Sequence, residues 1–451
     1  MDSNSNHASQ LHIYTTQRNT TMAAEQITQP LLHHAPKQLP TTTLEHVEAA
    51  AAAYSLSYRK GGTSFFKTCF NGLNALSGVG IMSIPYALAC GGWLSLILFF
   101  VIALSTFYTG LLIRKCMDID PNIRSYPDIG ERAFGRNGRM LVVVVMCLEL
   151  YLVATGFLIL EGDNLHNLFP NMELQIADFT IGGRQCFVII VALIILPTVW
   201  LDNLSALSYI SASGVLASAV ILCSITWTGA FEGVGFHQKG TLINWSGIPT
   251  ALSLYIFCYG SHPVFPTFYT SMKKKHQFSN VLLLCFLLCT FCYATMAIFG
   301  YMMFGPNVQS QITLDLPVNK LSSKVAIYTA LVTPVSKYAL MVTPIVAVLE
   351  NCFPSYQKSQ SFNLLIRTVL VVSTVVVALA VPFFGSLMSL VGALLSVTAS
   401  VLLPCLCYLK ISGTYRRFGC ELLIISGIIV LGVLVGVFGT YTSVLEIVRQ
   451  W

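Results

Sequence analysis

The sequence predicts an all-α polytopic membrane protein, and three observations carry that reading. Of its 451 residues, 55% are hydrophobic and only 10% charged, with a mean hydropathy of +0.71. Soluble domains carry about 25% charged residues. Apolar runs of roughly the 20 residues that a bilayer-crossing helix needs recur along the chain. Lys and Arg collect on alternate connections between those runs.

The runs fall at about 66–89, 93–114, 140–161, 185–201, 205–229, 249–271, 280–304, 324–349, 364–382, 385–409 and 420–442, eleven candidate spans. The fourth is short and the 382–385 junction tight. Residues 1–64 are rich in Ser, Thr, Gln, His and Ala and lack the apolar core of a secretory signal. They read as a disordered cytosolic tail with little apolar surface to bury. With that tail inside, the other side receives only Arg184, Lys239, Lys320, Lys324 and Arg449, and Lys337 alone falls within a span. All the rest of the 25 Lys and Arg face the tail's side. Cytoplasmic loops carry such an excess, so the N-terminus is expected in the cytosol and the C-terminus on the far side. The basic loops orient the chain and attract anionic lipid; nothing in them calls for a nucleic-acid partner. Asn244-Trp245-Ser246 is a glycosylation sequon on a predicted outer loop, whereas Asn19 and Asn203 head sequons on the predicted inside. The 14 cysteines lie mostly inside apolar runs and read as buried thiols.

Two spans contain residues that weaken helices. The first reads "SGVGIMSIP", where Gly78 and Gly80 permit an unwound turn and Pro85 removes a donor. The sixth reads "FCYGSHPVFPTFY", with Gly260, Pro263 and Pro266. Lipid cannot hydrogen-bond a freed backbone group, so irregular backbone survives only where it is packed in protein or lines a polar cavity. Small residues also let helices approach closely, and that is the competing reading of the glycines. Yet if residues 65–229 and 249–409 are two five-helix halves, with 420–442 as an eleventh helix, each half begins with an interrupted span. Matched interruptions point to an inverted-repeat transporter whose site lies at the membrane midplane. There, half-helix N-termini face an anionic group and unwound carbonyls face a cation. A free amino acid carries both.

The stretches "NGLNALSGVGIMSIPYALACGGW", "FCYGSHPVFPTFYTSMK" and "LVTPVSKYALMVTP" resemble the amino acid/auxin permease superfamily. Within it they are most similar to the plant and fungal vacuolar amino acid transporters, relatives of the vesicular inhibitory amino acid transporter. The likeness covers about residues 60–442. It implies a LeuT-type fold, a 5+5 inverted repeat with an eleventh helix, and proton-coupled amino acid transport. By position it implies that Gly78, Val79 and Gly80 form the turn for the substrate carboxylate, with Asn74 and Ser77 beside it. Tyr259, Gly260 and Ser261 complete the substrate site at the second break, where His262 also falls.

Three ionisable side chains lie deep within spans, where charge is costly and often functional. Lys337 sits mid-way along the eighth span. Its ammonium is expected to take the place of a sodium ion against carbonyls of the first break, and to take part in proton coupling; a static lysine bonded to a carbonyl is the alternative. Glu149 lies about 15 Å along the third span; it could carry a proton, pair with Lys337 or bond to a neighbouring helix. His262 could titrate near neutral pH or cap freed carbonyls.

These features favour a secondary active transporter of neutral amino acids, with protons as the coupling ion and a monomer as the working expectation. The vacuolar resemblance implies antiport into the vacuole. A plasma-membrane symporter, driven by protons or sodium, is the alternative in the same class, and an amino acid receptor the alternative outside it. An enzyme would need a constellation of reacting groups, but HExxH and GxSxG are absent, no Asp lies within a span, and no metal or other cofactor is expected. Neither a repeated filter nor a charged ring suggests a channel.

Overall fold

The computed structural model describes residues 63–78, 80–176, 179–200, 207–352, 360–416 and 419–450. Val79, the tail up to residue 62 with its Asn19 sequon, and the Asn203 sequon lie outside the described residues.

Nine helices among the described residues are long and apolar enough to cross a membrane, and the bent pair Phe65–Leu76 and Gly80–Gly91 makes a tenth span. The sixth segment fails the length test because it is broken: Ile248–Cys258 ends, a 3-10 turn covers His262–Val264, and Phe265–Ser271 resumes. The remaining spans are Ser95–Ile119, Tyr126–Leu168, Gly183–Trp200, Leu207–Phe231, Phe278–Phe304, Leu321–Cys352, Gln360–Ala380, Phe384–Ser412 and Cys420–Gln450. The chain is thus a multi-pass helical membrane protein whose first and sixth spans are interrupted. Among the described residues, the connection between the third and fourth spans carries a short hairpin, Leu174–Ile176 antiparallel to Phe179–Ile181.

Local sequence explains most of the boundaries. Pro263 and Pro266 stand in the first turns of their segments, where a missing N–H costs nothing. They restart the sixth span more than they break it. Pro85 is a true interior proline, and its ring sits against Gly300 of the seventh span, where a Cβ would come within 2.6 Å of the Pro85 Cβ. The third span begins well before the apolar run. Its helix starts at Tyr126, capped by Asp128 accepting the Ser125 N–H at 2.8 Å, and turns at Gly135 with φ +65°. Buried Arg139 then pairs with Asp128 at 3.1 Å and Glu131 at 2.5 Å, holding the charged first turns against the start of the membrane-crossing part.

The half-helices Gly80–Gly91 and Ile248–Cys258 pack closely. A Cβ on Gly80 would lie 2.7 Å from Cys258 Sγ and 3.2 Å from Cys258 Cα. The start of the first span is also linked to the end of the sixth, since Thr63 N–H donates to Ser271 O at 2.8 Å and Lys273 N–H to Thr63 O at 3.1 Å. The tenth span winds with π-helical turns over Val391–Ser396 and Thr398–Leu402, directly beside the sixth. There Gly392 lets Phe257 approach, with 3.1 Å from its would-be Cβ to the Phe257 Cβ.

Candidate functional site

At the first break the helix bends by 49°, and its carbonyls lose their regular partners. Buried carbonyls must find donors, and here each donor comes from a different place. Ser77 N–H donates to Leu73 O at 2.7 Å. Lys337 Nζ donates to Asn74 O at 3.2 Å and to Ser77 O at 3.1 Å. Ser261 Oγ, from the second break, donates to Ala75 O at 2.8 Å. Leu76 O receives Gly78 N–H at 2.9 Å and, in close contact, the hydroxyl of Tyr293. The unwound turn is therefore held by spans six, seven and eight together.

Lys337 is only 3% exposed. The carbonyl dipoles of Asn74 and Ser77 make a seat for a cation, and the lysine ammonium fills it with two hydrogen bonds. Gly214 of the fifth span leaves the room: a Cβ there would strike Asn74 Oδ1 and lie 3.4 Å from Lys337 Cε. The Lys337 ammonium thus stands on the Asn74 and Ser77 carbonyls of the first break.

The second break is tied differently. Gly260 N–H donates to Phe257 O at 3.1 Å and Ser261 N–H to Tyr259 O at 2.8 Å. Glu149, 6% exposed, faces this break. Its Oε1 accepts from Ser396 Oγ at 2.6 Å and would lie 3.3 Å from a Cβ on Gly260. Of the three roles open to Glu149, the structure supplies the bond to a neighbouring helix, the tenth; Lys337 takes its partners from the first span instead.

His262 is fully buried. Its Nε2 lies 2.9 Å from Thr106 O and 2.9 Å from Thr109 Oγ1. A carbonyl can only accept, so Nε2 carries the proton. The Thr109 hydroxyl, which donates to Ser400 O at 2.8 Å, is then an acceptor for it. His262 thus joins the sixth span to the second and tenth. It stands apart from the cavity wall.

A cavity of about 210 Å³ lies between the breaks. Asn74, Gly78 and Gly80 line it from the first break, Gly260 and Ser261 from the second, and Glu149 and Lys337 from spans three and eight. Asn71, Thr267 and Phe268 extend it along the inner half-helices, towards the side of the basic loops. Of the other expected residues, Ser77 contributes its carbonyl to Lys337. Tyr259 points away: its hydroxyl meets Thr290 Oγ1 at 2.7 Å and its ring stacks on Phe286 at 5.5 Å. Val79 lies outside the described residues. Asn74 Oδ1 is buried at the wall with no partner among the described residues, an acceptor free for a ligand. Met146, Val153 and Phe157 give the remaining wall an apolar face.

Sequence reading missed Tyr293, 1% exposed on the seventh span, and the lining residues Asn71 and Phe157. A tyrosine or phenylalanine in an apolar run carries no signal of its own. Among the described residues, no group of three or more His, Cys, Asp or Glu could hold a metal ion. Cys289 and Cys292, a CxxC on the seventh span, are both free thiols.

Comparison with known proteins shows the family. The family model described as "Transmembrane amino acid transporter protein" matches residues 61–445. Amino acid transporter AVT1I of Arabidopsis thaliana is 63% identical over 86% of this chain and 96% of its own length. Amino acid transporter AVT1J of the same plant is 59% identical over 86% of this chain and 92% of its own. The crystal structure of MhsT in complex with L-phenylalanine is similar at 14% identity and a TM-score of 0.49, over 84% of this chain and all of that one, a likeness too slight to carry weight. An interrupted-helix cavity in a many-span chain, matched by a family model over nearly all of its membrane region, gives one conclusion: the chain belongs to the transmembrane amino acid transporter family.

Proposed function

We propose that the chain is a proton-coupled secondary active transporter of neutral amino acids, working by antiport across the vacuolar membrane with its N-terminus in the cytosol. The observation that carries this is Lys337 seated on Asn74 O and Ser77 O in the wall of a cavity that both breaks share. The carboxylate of a bound amino acid would meet the N-terminus of the half-helix that starts at Gly80, where backbone N–H groups and the helix dipole favour an anion. Its ammonium would meet Asn74 Oδ1 and Glu149. Its side chain would face Met146, Val153 and Phe157, an apolar wall suited to an uncharged side chain. The names of the relatives, amino acid transporters, support the substrate class.

Lysine in the cation position gives protons a route that sodium would otherwise take. Loss of a proton from Lys337 would remove its charge and weaken its bonds to the Asn74 and Ser77 carbonyls, loosen the inner half-helix and link protonation to the direction the cavity faces. A plasma-membrane symporter is the second reading; proton-driven symport needs the same Lys337 seat, whereas sodium-driven symport would need that seat vacated.

Proteoliposomes holding the full chain test this. Counterflow of labelled neutral amino acids is expected, with accumulation driven by an imposed pH gradient and indifferent to sodium. Lys337→Ala should keep counterflow but lose the response to the gradient. Unchanged pH dependence in that variant would remove Lys337 from the coupling, and absence of counterflow in the wild type would defeat the transport reading itself.

A further inference from the structure

We infer that Tyr293 is a positioning residue for the conformational cycle, its one hydroxyl proton serving the severed ends of both broken spans. The inference rests on the carrier cycle proposed above. Leu76 O ends the inner half of the first span and Cys258 O ends the outer half of the sixth. A helix supplies no partner for its last carbonyls, and both of these reach the same oxygen. Tyr293 Oη is in close contact with Leu76 O and 3.4 Å from Cys258 O. Its ring is fixed edge-on against Tyr259, with centroids 5.7 Å apart at 75°, so the hydroxyl has a defined place between the two ends.

A phenol has one proton to donate. It holds one carbonyl at full strength and leaves the other at the margin of bonding distance. In this structure Leu76 has the stronger share, and the cavity extends along the inner half-helices. A cycle that closes the inner side and opens the outer one must change the relation between the inner half of the first span and the outer half of the sixth. The two carbonyls then move relative to Tyr293. Passing the proton from Leu76 O towards Cys258 O keeps a buried donor bonded on both sides of the change. Tyr293 does not itself line the cavity, and it holds Leu76 and Cys258, which do, through their backbone carbonyls, so its effect should fall on turnover more than on substrate affinity.

Tyr293→Phe removes this hydroxyl and keeps the ring. Thr290→Val, which costs the same span its bond to the Tyr259 side chain at the second break but leaves both contacts of the Tyr293 hydroxyl in place, is the control. Two readouts in the full chain decide. In lipid nanodiscs, amide hydrogen exchange of the peptide covering residues 74–81 should quicken in Tyr293→Phe and stay at the wild-type rate in Thr290→Val. In proteoliposomes the maximal rate of amino acid counterflow should fall about 5- to 10-fold, as for one lost buried hydrogen bond, with KM within about 2-fold. A raised KM at unchanged rate would make Tyr293 a substrate contact and overturn the inference. Unchanged exchange in Tyr293→Phe, or equal changes in the Thr290 control, would also overturn it. If the wild-type chain shows no counterflow, the carrier reading fails separately and the exchange experiment still decides whether Tyr293 holds the breaks.

Discussion

Gly78 and Gly80 stand two residues apart and do different work. A Cβ on Gly78 meets nothing within 4 Å, whereas one on Gly80 meets Cys258, backbone included. Close packing, the competing reading of both glycines, therefore holds for Gly80 and not for Gly78, which faces the cavity. Gly80→Ala should destabilise the protein by about 1–3 kcal/mol through overpacking, and Cys258→Ala should recover part of that by removing the nearer sulfur. Gly78→Ala should leave stability within about 0.5 kcal/mol while weakening amino acid binding. Thermal unfolding in detergent, followed with the substrate titration, checks all three variants. Equal losses of stability for the two glycines would contradict this division of roles. Residues such as Gly78 and Lys337 were legible because they are anomalies in an apolar run. Tyr293 and Phe157 were not, because packing and function use the same residue types there.

The spans themselves were legible because lipid enforces a length and a composition. The broken sixth span was legible for the same reason, since glycine and proline inside such a run demand an account. What hydropathy does not encode remained hidden. The charged turns from Tyr126 to Gly135 look like loop, and only the Arg139 ion pairs fold them onto the third span. The π-helical winding of the tenth span inserts no unusual residue, yet it brings Ser396 to Glu149 and the Ser400 carbonyl to Thr109. The identity of His262 as a bridge likewise depended on two threonines distant in sequence. Its neighbours, more than its own chemistry, set its role.

For the molecule as a whole, the alternation of Lys and Arg gave an orientation, and the two interrupted spans gave a centre. One carboxyl outside the spans adds a test of pH dependence. Burial pushes the Asp315 carboxyl up to about 6, against hydrogen bonds from Gln309 that pull it down, including the Gln309 N–H at 2.8 Å. A carboxyl whose pKa is raised on folding contributes most below its unfolded value of 3.8, and the contribution is lost as pH rises through about 6. Relative to Asp315→Asn, the wild type should therefore lose melting temperature as pH rises from about 4 to 7. A constant difference across that range would contradict it. The central claim, that two severed helices form one amino acid site, is tested most directly by an electron cryo-microscopy map of the full chain in lipid with a neutral amino acid bound. The account expects density between residues 78–80 and 260–261, with Lys337 on the Asn74 and Ser77 carbonyls. Density elsewhere, or unbroken helix through either segment, would contradict it.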